Sequence, residues 1–137
     1  MSTHSQREKE RIRKQIWDLM EKQNIARFPR PVFGRIPNFV GAEVAAARLG
    51  SMPEYQKARI LKVNPDSPQR AVREMALRDG KRVVMPTPRL KKGFLLLDSE
   101  QIAVRMHRTA STIRGAFQLG KRIPKWISSS VELSQSQ

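Results

Sequence analysis

Apolar residues recur at three- and four-residue spacing through residues 5–24. Ile12, Ile16, Leu19 and Met20 fall on one stripe, which predicts an amphipathic helix. Residues 28–38 break this pattern with Pro29, Pro31, Gly34 and Pro37, and predict an ordered loop. Residues 41–49 are Ala-rich and helical. Ser51-Met52-Pro53-Glu54 follows as a helix start, with Ser51 as N-cap and Glu54 three residues on. Residues 59–63 read as a strand, Asn64–Pro68 as a turn, and residues 69–79 as a helix on Val72, Met75 and Ala76 that stops at Gly80. Residues 81–85 and 93–97 are the next two strands, separated by Pro86-Thr87-Pro88-Arg89. Strands alternating with helices predict βαβ units: an α/β fold with a parallel sheet and helices, those at 5–24 and 69–79 among them, packed on it.

Charge changes this picture. The chain carries 27 Lys and Arg against 12 Asp and Glu, a net +15, and such a field attracts anions. Arg7, Lys9, Arg13 and Lys14 crowd the first half of the first helix. The helix dipole favours anions there, so positive charge at that end points to an anionic ligand. Lys9 and Arg13 stand four apart and share one face, as an anion clamp requires; a solvated basic face is the plainer reading. The chain has no cysteine, which excludes disulfides and thiolate metal sites. His4 and His107 are isolated and lack metal-ligand spacing, and are expected to be a tail and a surface histidine. The sequence shows neither a membrane-length apolar run nor a secretory h-region, as expected of a cytoplasmic protein.

Four segments in order, RKQIWDLMEKQNIARFPRPVFGRIPNFVGAE, KVNPDSPQRAVREMAL, VMPTPRLKKGFLLLD and STIRGAF, resemble the 5-formyltetrahydrofolate cyclo-ligase family. The similarity is greatest to its archaeal branch and to related eukaryotic domain-containing proteins. The resemblance implies a Rossmann-like open parallel sheet with helices on both faces. It also implies an ATP- and Mg2+-dependent reaction that turns 5-formyltetrahydrofolate into 5,10-methenyltetrahydrofolate through phosphorylation of the formyl oxygen. The partners so implied are ATP and a reduced folate. The family's N-terminal Lys-x-x-aliphatic-Arg signature stands here as Lys9, Ile12 and Arg13, which implies that Lys9 and Arg13 contact ATP phosphates. Arg89, after the second strand, is placed as a further phosphate contact, and the three are expected to face a common cleft at the carboxyl ends of the strands. Where the family carries a folate-binding glutamate, this chain has Gln69 and Arg70, with only Asp66 near; these two are the weak substrate-binding candidates.

The family's Gly-rich G-x-G-x-G-Y segment, whose backbone donors cradle phosphate, does not occur in these 137 residues. Residues 1–125 are therefore read as the N-terminal part of the α/β domain, truncated before the last strands, and inactive alone. Residues 126–137, WISSSVELSQSQ, are polar and expected to be poorly ordered. Read one base earlier with permitted silent codons, they give a buried-strand pattern beginning Met-Asp-Leu-Ile-Val, so residues 126–137 are read as a frameshifted polar tail, with a natural polar terminus as the alternative. Two other functions compete: a nucleic-acid-binding module, favoured by the charge but without an RNP, KH or zinc motif, and a non-catalytic remnant.

Overall fold

Helix α1 (His4–Lys22) begins at Thr3, whose hydroxyl accepts from the Gln6 N–H while the Gln6 side chain accepts from the Thr3 N–H. This capping box supplies the start that the basic first half of the helix opposes electrostatically. The computed structural model describes residues 3–123. These form two compact units divided between Ala42 and Glu43, and the tail 126–137 lies outside the described residues. No helix among the described residues is long and apolar enough to cross a membrane.

In the first unit, α1 is followed by β1 (Ala26–Arg27) and β2 (Asn38–Phe39), paired antiparallel around the proline-rich loop. Its small core joins Met20, Ala26 and Val32, with Trp17 and Phe39 packed against them. Of the apolar stripe read from the sequence only Met20 is buried; Ile12, Ile16 and Leu19 remain 43–48% exposed. The loop is ordered, as its prolines predict, because Glu21 anchors it. One carboxylate oxygen accepts from Arg30 at 2.8 Å and the other from the Val32 N–H at 3.0 Å. The Arg30 hydrogen bond holds the Glu21 carboxyl below its ordinary value of 4.5, with a smaller contribution from Val32. A carboxyl lowered in the fold stabilises above its unfolded value, and that contribution is lost as pH falls through the lower folded value. The loop should therefore stay anchored at neutral pH and release in acid below 4.5. The Val32 amide resonance will follow that titration in the parent and not in Glu21→Gln; an amide indifferent to acid would disprove the anchor.

The second unit carries α2 (Ala42–Gly50), α3 (Pro53–Lys57), β3 (Ile60–Lys62), α4 (Arg70–Arg78), β4 (Arg82–Pro86), β5 (Phe94–Asp98), α5 (His107–Ala110), α6 (Ile113–Leu119) and β6 (Lys121–Ile123). α3 starts one residue later than expected: Met52 is its N-cap, and Ser51 Oγ instead donates to the Arg48 carbonyl at 2.7 Å. The four strands form one open sheet in the order β3-β4-β5-β6. β3 and β4 are parallel, with Leu61 opposite Val83, as a helix crossover requires. β4 and β5 are antiparallel, with Val83 opposite Leu97, and so are β5 and β6. The sheet is thus mixed where an all-parallel one was expected. Only residues 87–93 link β4 to β5, too few for the dozen or so a parallel crossover needs.

Val83, Met85, Leu95 and Leu97 point to one face, where they pack with Ala76 and Leu77 of α4, Ala110 of α5 and Ala116 of α6. His107 belongs to this interior and not to the surface. It is 3% exposed, with Nε2 at 3.0 Å from the Ile102 carbonyl.

Candidate functional site

The parallel pair β3 and β4 brings two loops to the same edge of the sheet, the carboxyl ends of the strands. Ligands of open α/β sheets gather at this edge. After β4, Thr87 turns its hydroxyl inward. It is 2% exposed, donates to the Gly93 carbonyl at 2.8 Å and accepts from the Lys92 N–H at 3.1 Å. The Thr87 N–H also bonds the Gly93 carbonyl at 2.9 Å. One residue therefore closes both ends of the loop. Inside it, Arg89 and Leu90 hold consecutive left-handed φ values of 55°. Such values cost free energy in non-glycine residues and persist only where the surroundings impose them. The result is a fixed turn that displays Arg89, Lys91 and Lys92 together, all exposed.

After β3, Asp66 caps the turn into α4. Its two oxygens accept from the Gln69 N–H at 3.1 Å and from Gln69 Nε2 at 2.8 Å. Arg70 pairs with Glu74 at 2.8 Å and reaches Ser111 Oγ at 3.4 Å. Beneath them lies Arg73, 1% exposed. Its Nε donates to the Ser111 carbonyl at 2.8 Å, and its Nη1 to the carbonyls of Asn64 and Asp66 at 2.6 and 2.9 Å. Burial pulls this guanidinium down to about 10, with Asp66 acting against the shift, so Arg73 stays a cation at neutral pH. It ties the β3 loop to the α5–α6 junction. The sequence reading missed it, although a signal exists: Arg73 shares the helical stripe of Ala76 and Leu77, where an arginine must be internally bonded.

The opposite edge of the sheet also has a cavity, of about 400 Å³, lined by Lys57, Arg59, Asp79, Lys81, Arg82 and Asp98. Two of its cations have internal partners. Arg82 faces Asp98 at 3.6 Å, and Lys81 donates to the Ala58 carbonyl at 2.7 Å beneath the Tyr55 ring. The carboxyl edge, with three exposed cations on one turn, is the better anion site.

In the first unit, Lys9 and Arg13 are both exposed on α1. Arg13 lines a groove of about 570 Å³ with Ile12, Ile16 and Trp17 of α1 and the loop from Gly34 to Pro37. A basic α1, a fixed cationic turn after β4 and the sheet that carries it are all matched by one known sequence pattern, across residues 5–135. The chain belongs to the 5-formyltetrahydrofolate cyclo-ligase family.

Relatives include methenyltetrahydrofolate synthase domain-containing proteins. The cow protein is 52% identical over 63% of this chain and 23% of its own length. The mouse protein is 50% identical over 69% of this chain and 25% of its own, and the human protein 45% identical over 63% and 22%. The chain thus spans about a quarter of the length of the curated relatives it matches. No solved structure matches it.

Within the cyclo-ligase frame, Lys9 and Arg13 belong to the first unit and Arg89 to the second. Each group presents exposed cations in its own unit. Gln69 and Arg70 do lie on the carboxyl-edge turn, but both side chains are held by internal partners, Asp66 and Glu74. Both Asp66 oxygens accept from Gln69, and each keeps a further lone pair. The exposed cations of the turn after β4 suit an anionic ligand, and among the described residues no group of three or more His, Asp or Glu is placed to hold a metal ion.

Proposed function

We propose that the chain is a cytoplasmic, archaeal-type cyclo-ligase protein that binds ATP through Lys9 and Arg13 of α1 and Arg89 of the turn after β4. It serves the ATP-dependent conversion of 5-formyltetrahydrofolate to 5,10-methenyltetrahydrofolate. Bound ATP supplies the phosphoryl group that makes the formyl oxygen a leaving group, and brings its Mg2+ on its own phosphates. What these residues contribute is fixed positive charge where the triphosphate must lie. The observation that carries the reading is the Thr87-clamped turn, which sets Arg89 beside two lysines at the ligand-binding edge of the sheet. Arg70 and Gln69, on the neighbouring turn, stand closest in sequence to where a folate would be met. Their internal bonds make them shape the turn first and touch substrate second.

ATP binding and turnover are separable in this account, because the 137 residues contain no Gly-rich phosphate cradle. Losing even one preorganised donor typically costs about 100-fold or more in rate. The purified chain should be protected against heat by MgATP, yet form no methenyl product from 5-formyltetrahydrofolate. Turnover by the chain alone would contradict the separation. If RNA protects it with a steep salt dependence and ATP does not, the basic surface serves nucleic acid and the ligase reading fails.

A further inference from the structure

The cavity at the amino ends of β3 and β4 lies wholly within the second unit and takes no part in the nucleotide reading. Its volume, about 400 Å³, falls in the range of roughly 300–1,000 Å³ found for small-molecule sites. Its wall includes a buried ammonium. Lys81 is 8% exposed, and its Nζ donates to the Ala58 carbonyl at 2.7 Å and to the Gln56 carbonyl at 3.4 Å, 4.6 Å from the centre of the Tyr55 ring. These bonds use two of its three donors, and neither carbonyl carries a countercharge. A buried charge without a countercharge is costly, and an anionic group in the cavity would offset that cost. Lys57 adds positive charge at the same end. At the β5 end the sign reverses. Asp98 and Glu100 line the cavity there, and Asp98 is fixed by the Glu100 N–H at 3.0 Å and by Arg82 at 3.6 Å. β4 lies between β3 and β5, and neighbouring strands stand about 4.8 Å apart, so the two ends are roughly 10 Å from each other. The lining side chains span part of that distance. A simple anion is repelled at one end and a simple cation at the other, whereas a short ligand that carries both charges is complemented at each.

We infer that this cavity binds a small zwitterion, an amino acid whose ammonium and carboxylate are separated by a short carbon chain. The carboxylate meets Lys81 and Lys57, and the ammonium meets Asp98 and Glu100. Asp79, on the cation side, is drawn away by the Tyr55 hydroxyl, which donates to it at 2.6 Å. The site stands at the edge of the sheet opposite the Thr87 turn, and it holds whether or not the ATP reading does.

The probe is 4-aminobutyrate, titrated into the full chain at low ionic strength beside butyrate and butylamine, each of which keeps one charged end. Binding is read from the amide resonance of Gly80, which lines the cavity, with the Thr87 amide at the opposite edge as reference. 4-Aminobutyrate should shift Gly80 and leave Thr87 unmoved. It should bind at least about tenfold more tightly than either half-molecule, the scale of one charge-assisted contact. Lys57→Gln should weaken 4-aminobutyrate and butyrate and leave butylamine unchanged. Glu100→Gln should weaken 4-aminobutyrate and butylamine and leave butyrate unchanged. Both residues are exposed, so the thermal midpoints of the two variants should match the parent. Butyrate bound as tightly as 4-aminobutyrate would make the cavity a plain anion site and overturn the inference. A Gly80 amide that answers none of the three probes would show the cavity closed by its own charges, and would overturn it equally.

Discussion

Replacing Arg73 by methionine is expected to destabilise the fold by about 3–5 kcal/mol, more than any surface change in the chain. The side chain is fully buried, and its three hydrogen bonds satisfy the carbonyls of Asn64, Asp66 and Ser111. Methionine fills much of the volume and supplies no donor. Three buried acceptors then lose partners, and hydrogen bonds from a charged donor are worth about 1.5–3 kcal/mol each, less whatever water repairs. Arg73→Lys keeps the charge without the planar fork and should fall between the two. Urea unfolding of the three proteins measures this. A loss below about 1 kcal/mol in the methionine variant would mean that water replaces the guanidinium and that Arg73 does not tie the β3 loop to α5–α6.

Gly115→Ala should have the next largest effect, about 3 kcal/mol. Gly115 is buried in the first turn of α6, where its N–H donates to the Thr112 capping hydroxyl at 3.0 Å. A Cβ there would run into the Thr109 carbonyl, a backbone group of α5 that cannot rotate away. The short helices α5 and α6 must separate to admit a methyl group, and Ala110 and Ala116 of the core move with them. Thermal unfolding of the variant checks the size of the loss. An unchanged midpoint would show that the two helices are loosely packed.

The crossover β3–α4–β4 was legible because its helix carries a full apolar stripe and its strands are bounded by proline and glycine. The direction of β5 was misread, yet the length of residues 87–93 contains the answer: a link that short returns antiparallel. Helices α5 and α6 were not read as elements, because four and seven residues give too few turns for a period to show. The stripe of α1 was legible as a pattern; of its residues Met20 is buried in the unit's small core, and Ile12 and Ile16 line an open groove. Of the candidate site, Lys9, Arg13 and Arg89 were visible as charges. The clamp that gives Arg89 its setting was not, because a threonine between two prolines has no spacing signature. Arg73 was hidden by its type, an arginine being read by default as surface.

Titration calorimetry of the 137-residue chain with MgATP decides whether these cations hold a nucleotide. The comparison sets the parent beside Lys9→Ala/Arg13→Ala and beside Arg89→Ala. All of these side chains are exposed, so unfolding free energies should stay within about 0.5 kcal/mol of the parent. A charge-assisted phosphate contact is worth roughly 1.5–3 kcal/mol, so each variant should bind ATP at least about tenfold more weakly. If the parent fails to bind MgATP, or if both variants bind it as tightly as the parent, these cations do not form a nucleotide site and the proposed function is wrong.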